Sequence, residues 1–401
     1  MAYTRLLGER YTPLYFFNAL ISGELALSFY LYIYWYYKTA QSTMPTFKQL
    51  ALSFHSHQWS TILLVGFFLV GFLFFLHQHI RLVFWNFKNF QAWKHTSPYK
   101  SLMATKDKTI LLILPATLSV SLILVLCTGL MALPDTEQIE PFFFPLLLVA
   151  LFPVAWKSLR LYTDFLSSRL LEKAAAGPFG SALGQWIIVF SFALMALPFA
   201  LIAQNSSVFF VTVAASLGAI SLFLLAILVA CIRFLPRLRA VTQEPLAPEL
   251  APLFWFSSGI LALLSLVYVQ LDGGLSNAFN LGQRADGLLF ILFALFVLCF
   301  FLGFIGKILW EQKAPLRLMF EGKFYSLGLY GLLFPALIGG ILYSYLINVC
   351  CVMFGPIQAL SISHFLAHVP LLLLHLWCVR FFYRLNSKLF SSGIKKPIAS
   401  A

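Results

Sequence analysis

Residues 61–108 read TILLVGFFLVGFLFFLHQHI followed by RLVFWNFKNFQAWKHTSPYKSLMATKDK, and this stretch decides the fold. The first twenty residues contain no Lys, Arg, Asp or Glu. Twenty apolar residues at 1.5 Å each are what an α-helix needs to cross the ~30 Å hydrocarbon core of a bilayer. The next twenty-eight hold Arg81, Lys88, Lys94, Lys100, Lys106 and Lys108 against a single acid, Asp107. An apolar run delivered into a basic connection marks a membrane helix whose following loop stays in the cytoplasm.

The pattern repeats in both directions along the chain. Ten apolar spans are expected at about 14–36, 61–85, 109–133, 141–165, 185–203, 208–233, 250–270, 288–311, 325–348 and 355–384. Of the 27 basic residues, 24 fall in segments on one side, and only Lys38, Lys48 and Arg284 fall on the other. This bias orients the chain with both termini cytoplasmic. The expectation is an all-α polytopic membrane protein, one transmembrane domain over residues 1–401, built as five successive helical hairpins. No internal sequence repeat accompanies them.

Composition agrees and excludes other classes. The chain is 61% hydrophobic and 10% charged, with mean hydropathy +0.88, where a soluble domain carries about 25% charged residues. A net charge of +13 would suit nucleic acid, but the cations are spread over short connections, where they serve topology and anionic lipid contact. The partner expected is the lipid bilayer, with no nucleic acid. There is no GxxxxGK[ST], HExxH or nucleophile elbow, so neither an ATPase nor a hydrolase is indicated. The N-terminal apolar run continues to Tyr36-Tyr37 without a small-residue cleavage site and reads as the first span. None of the six cysteines (Cys127, Cys231, Cys299, Cys350, Cys351, Cys378) forms a metal-ligand spacing. A vicinal Cys350–Cys351 disulfide would be strained.

Odd and even spans differ. The third carries Pro115, Thr117, Ser119 and Ser121; the fifth Ser191 and Pro198; the seventh Pro252, Ser257, Ser258 and Gly259; the ninth Gly328, Gly331, Pro335, Gly339 and Gly340. The even spans are greasier, as in Leu222–Val229 and Phe290–Phe301. Proline inside a helix frees a carbonyl, which in a bilayer needs a protein neighbour or a cavity. Small residues also let backbones approach. An inner ring of proline-kinked odd helices inside a greasy outer ring is therefore expected, with Pro115, Pro198, Gly331 and Pro335 beside the path. Ordinary small-residue packing explains the same contrast.

The polar residues at membrane depth are the functional candidates. Glu24, in ISGELALSFY (residues 21–30), should face the bundle interior, paired or protonated; it serves either a proton-linked or substrate-orienting site, or simply bonds Ser28 one turn on. On the tenth span His364, His368 and His375 fall within 40° of one another at 100° per residue. Such a stripe suits a b-type haem or metal with His77 as the facing ligand, or contacts between helices. A membrane redox subunit binding haem or quinone is thus the alternative to a transport protein with no cofactor. On the outer side Asp135, Glu137, Glu140, Asp272 and Asp286 make no funnel for anions.

Ten helices in five hairpins, with LYGLLFPALIGG at 329–340 in the ninth, resemble the tellurite-resistance/dicarboxylate transporter family, which includes the slow anion channels of plant guard cells. YTPLYFFNALISGELALSFYLYIYW (11–35), MPTFKQL (44–50) and ILPATLSVSLIL (113–124) are more similar to a bacterial branch, the TsoY family of (seleno)proteins. The resemblance implies a channel or secondary transporter for a small anion, located in a bacterial inner (plasma) membrane. It implies a path between the odd helices gated by Phe334, and a homo-oligomer, a trimer by family analogy. Glu24 departs from it, because an anion pore favours a neutral residue there.

Overall fold

The structure, a computed structural model, describes residues 6–38, 45–55, 59–133, 136–171, 182–243, 251–279, 285–312, 327–353, 355, 357–358 and 361–391. Both chain ends, Arg284 and the basic residues between 313 and 323 lie outside the described residues, as does Asp135. Every regular element among the described residues is helical. In chain order the α-helices are α1 (Phe16–Tyr37), α2 (Phe47–His55), α3 (Trp59–Trp93), α4 (Ser97–Ala104), α5 (Ile113–Ala132), α6 (Thr136–Leu171), α7 (Ala182–Asn205), α8 (Phe209–Gln243), α9 (Ala251–Ala278), α10 (Ala285–Gln312), α11 (Leu333–Tyr345) and α12 (Ile362–Ser391). Apart from the short α2 and α4, these supply ten segments long and apolar enough to cross a membrane. The odd spans are α1, α5, α7, α9 and α11; the even spans are α3, α6, α8, α10 and α12.

Burial separates the two sets. In the most apolar window of each odd span, between 72 and 94% of residues are buried; in the even spans the figure is 17 to 33%. The odd spans touch in a closed circuit, α1 to α5, α5 to α7, α7 to α9, α9 to α11 and α11 back to α1. Each even span packs on the odd span before it. The even helices point large apolar side chains outward, including Phe142, Phe210, Phe290, Phe300 and Leu366. In water such a surface would drive association, whereas hydrocarbon accommodates it without cost.

Small residues bring the inner backbones together. A Cβ on Gly259 of α9 would stand 2.8 Å from the Pro335 Cα of α11, and one on Gly274 would stand 2.9 Å from the Ala203 carbonyl oxygen of α7. The outer layer is incomplete over α11. A cleft of about 770 Å³ lies between α10 and α12, lined by residues such as Phe296, Phe300, Pro335, Gly339 and Trp377.

The prolines do not divide as expected. Pro115 and Pro335 are each the third residue of their α-helix, directly after a 3₁₀ segment, Lys106–Leu112 and Leu327–Leu332 respectively. In a first turn the missing N–H has no intrahelical partner to lose, so these are helix entries rather than kinks. Where a 3₁₀ turn would pair the proline nitrogen, a side chain donates instead: Ser191 Oγ to the Leu112 carbonyl at 2.9 Å, Trp255 Nε1 to the Leu332 carbonyl at 3.0 Å. Pro198 is interior to α7. The even helices hold as many interior prolines or more, with Pro141, Pro145 and Pro153 in α6 and Pro370 in α12.

The connections are more helical than expected. α3, α6 and α8 run on as helix into their basic segments, to Trp93, Leu171 and Gln243. The outer connection 37–60 contains α2, opened by reciprocal bonds between Thr46 and Gln49 (Thr46 N–H to Gln49 Oε1, 3.0 Å; Gln49 N–H to Thr46 Oγ1, 3.4 Å). That is a capping box, and it is legible in Thr-Phe-Lys-Gln. The ninth span ends in a π-helical segment, Leu346–Met353, in which Cys350 and Cys351 are free thiols. α12 begins at Ile362, later than the expected 355.

Candidate functional site

The ring of odd spans encloses a cavity of about 90 Å³. All five contribute to it: Glu24, Tyr30 and Tyr34 from α1, Ile123 and Cys127 from α5, Leu194 and Leu201 from α7, Leu266 and Gln270 from α9, Ile338 and Tyr345 from α11. The α1 and α11 tyrosines lie toward the C-terminal ends of their helices, where Gln270 Nε2 donates to Tyr345 Oη at 2.8 Å and Tyr34 stacks on Tyr345 at 6.4 Å. At the opposite end of the cavity wall, Phe190 of α7, Phe256 of α9 and Phe334 of α11 meet. The Phe334 ring lies 4.5 Å from Phe190 and 5.3 Å from Phe256, centroid to centroid. Phe190 and Phe334 stand one turn before Leu194 and Ile338, so this cluster abuts the cavity. Phe334 is fully buried. Gly259 gives it room, since a Cβ there would lie 2.7 Å from its ring.

Glu24 is 1% exposed, and neither carboxyl oxygen has a hydrogen-bond partner among the described residues. The bond expected with Ser28 goes elsewhere: Ser28 Oγ donates to the Glu24 backbone carbonyl at 2.9 Å. That local back-bond is the usual one for a serine inside a helix, and it leaves the carboxyl to the cavity. Pro115, Pro198, Gly331, Phe334 and Pro335 are not among the side chains lining the cavity. Gly331 instead faces Phe256, 3.5 Å from a Cβ placed on it, and Pro335 lines the lateral cleft. Of the expected path residues, Glu24 is on the cavity wall, and Phe334 packs with Phe190 and Phe256 one turn before the lining residue Ile338.

The histidines serve helix contacts. His77 is exposed on the outward face of α3, so it does not oppose the α12 stripe. The buried histidine of α3 is His79, with Nδ1 donating to the Ala19 carbonyl at 2.7 Å and Nε2 paired with Ser121 Oγ at 2.8 Å. The three α12 histidines do face one way. His364 Nε2 donates to Asn348 Oδ1 at 3.0 Å, and Asn348 Nδ2 donates to His368 Nε2 at 3.1 Å. His368 Nδ1 donates to the His364 carbonyl at 3.0 Å, and His375 Nδ1 pairs with Tyr32 Oη at 3.0 Å. Among the described residues no three His, Cys, Asp or Glu side chains gather in metal-binding geometry.

Outside the spans, Lys38 follows α1 directly, its ammonium 4.5 Å from the Trp35 ring and 5.5 Å from the Tyr34 ring. Burial lowers its pKa from 10.5 to about 8. Phe190, Phe256, Gln270, Tyr345 and Cys127 were not foreseen. With 43 phenylalanines in the chain, nothing local marks the two that meet Phe334. Gln270 sits where the seventh span was expected to end and the outer connection to begin. Comparison with protein-family models, curated proteins and solved structures gives no match to this chain.

Proposed function

We propose that this chain is a membrane channel or secondary transporter that moves a small anion along the axis of the odd-span ring. Each odd–even pair crosses the membrane out and back, with both termini in the cytoplasm of a bacterial inner membrane. The observation that carries this reading is the cavity lined by all five odd spans, with Phe190, Phe256 and Phe334 meeting on the N-terminal side of its lining residues. A purely structural helical bundle closes its centre with interlocking side chains, whereas here all five odd spans line a void of about 90 Å³. A cluster of aromatic rings across such a path excludes water and thereby ions. Lys38, one turn beyond cavity-lining Tyr34, places a cation at the other end, and the family resemblance supplies the anion as the class of solute.

The test is flux of chloride, nitrate and larger anions into liposomes bearing the full chain or Phe334→Ala, with thermal stability of the same preparations. Phe334→Ala is expected to raise basal flux at least tenfold. Loss of about 3–5 kcal/mol of packing with no gain of flux would make Phe334 a core filler and reject the gate.

A further inference from the structure

We propose that the Glu24 carboxyl is a proton-dependent selectivity element: the cavity takes a small monovalent anion while Glu24 is protonated and excludes anions once it ionises. The inference rests on the transport reading and adds the solute class and its linkage to protons.

Three observations meet at this residue. Its carboxyl lines the cavity, it is almost fully buried, and both oxygens lack a partner. An ionised carboxylate in that position would be uncompensated, because an isolated buried charge is far costlier than a neutral polar group. The surroundings offer no compensation. From α1 itself Tyr30 and Tyr34 share the cavity, from α5 Cys127, and from α11 Tyr345. α12 brings Cys378 within electrostatic reach. α3 brings His79 against Gly23, with both ring nitrogens already bonded. Among the described residues, no lysine or arginine lines this cavity. Glu24 is therefore held as a neutral acid, with one O–H to donate and no acceptor for it among the described residues.

That unused donor is what an anion requires. With Glu24 protonated, an entering anion accepts the carboxyl O–H, and the cavity carries one negative charge. With Glu24 ionised, the same anion brings a second negative charge into one small apolar space, where like charges repel far more strongly than in water. Anion occupancy and protonation of Glu24 are thus cooperative, and by linkage each favours the other equally. No bond is made or broken except the O–H of the carboxyl, whose proton comes from and returns to bulk water. Charge restricts the solute further. A dicarboxylate brings two negative charges into the same low-dielectric space, so the site suits a monovalent ion such as chloride or nitrate.

The experiment measures chloride, nitrate and succinate flux in liposomes between about pH 5.5 and 8.5 for the full chain, Glu24→Gln and Glu24→Asp. It also records the infrared carboxyl C=O band of each protein with chloride or with an impermeant anion. Expected are chloride and nitrate flux without succinate flux, and a fall of about tenfold per pH unit on the alkaline side for the unmodified chain. Glu24→Gln should give flux independent of pH, and Glu24→Asp a retained but displaced pH dependence. A protonated-carboxyl band that shifts with chloride should be present in the unmodified chain and absent from Glu24→Gln. Flux that is independent of pH in the unmodified chain, or that keeps the same pH dependence in Glu24→Gln, overturns the proposal. Succinate flux equal to chloride flux overturns the solute class. Absence of flux for every anion rejects the transport reading instead; the infrared band then decides on its own whether Glu24 holds a proton and meets an anion. If Glu24→Gln does not fold, Glu24→Asp and the unmodified chain carry both measurements.

Discussion

The two ends of the ring interior are built on opposite terms. Where Phe190, Phe256 and Phe334 meet, the space is filled by aromatic rings from three helices and a glycine admits them. Beyond them, Glu24, Gln270, Tyr30, Tyr34 and Tyr345 bring polar groups to a cavity that the surrounding leucines and isoleucines do not fill. The first end is held by shape and dispersion, where any change of volume is felt. The second is held by a few hydrogen bonds in a medium without water, where a change of polarity is felt instead. One bundle therefore keeps a tightly packed aromatic cluster and an underpacked, mostly apolar chamber with a few polar groups, each sensitive to a different class of mutation.

That contrast is broken most sharply at Gly259. A Cβ there meets the Phe334 ring at 2.7 Å and the Pro335 backbone at 2.8 Å, and backbone cannot step aside as a side chain can. Gly259→Val should cost about 3 kcal/mol and lower the melting temperature of detergent-solubilised protein; an unchanged melt would mean that the plug is not tightly packed. Tyr345→Phe probes the chamber with almost no change in volume. It strips Gln270 Nε2 of its acceptor, and a buried donor left unpaired costs about 1–2 kcal/mol. Equal melts for Tyr345→Phe and the unmodified chain would show that water or another group satisfies Gln270.

A pH-dependent effect is expected at Lys38, which directly follows α1. Because burial holds its pKa near 8 in the folded protein against 10.5 unfolded, the unfolded chain binds more proton between those values. Stability then rises with pH across that window, and the penalty is complete below it. Lys38→Met removes the penalty, so its stabilisation over the unmodified chain should shrink as pH rises from about 8 to about 10.5. A stability difference that stays constant over this range would place the Lys38 ammonium in water.

Glu24 was legible because it breaks a local pattern, an acid inside an apolar run, whereas Phe334 stood out only through the family resemblance that LYGLLFPALIGG carries. Their partners were not, because a phenylalanine in a membrane span looks the same whether it faces lipid or a gate. The histidines show the limit of periodicity. The α12 stripe was read correctly as one face, but the choice of His77 over His79 on α3 depended on which side of that helix faces inward, and both sides are apolar. The prolines were counted as kinks because sequence position within a span does not reveal a 3₁₀ entry. The Thr46–Gln49 box, by contrast, was present in the sequence and gave α2 its start.

What the sequence by itself determined is the number and length of the apolar spans and the sorting of basic residues to one side, since transfer from water to hydrocarbon acts on each segment independently of its neighbours. It also separated odd from even spans by polarity. The closed circuit of odd helices, the cavity inside it and the meeting of Phe334 with Phe190 and Phe256 were decided only by the tertiary structure. In a membrane both faces of a helix are apolar, so no hydrophobic stripe points to the partner. Helix contacts are chosen by close packing and paired polar groups, which exist only once the neighbours are in place.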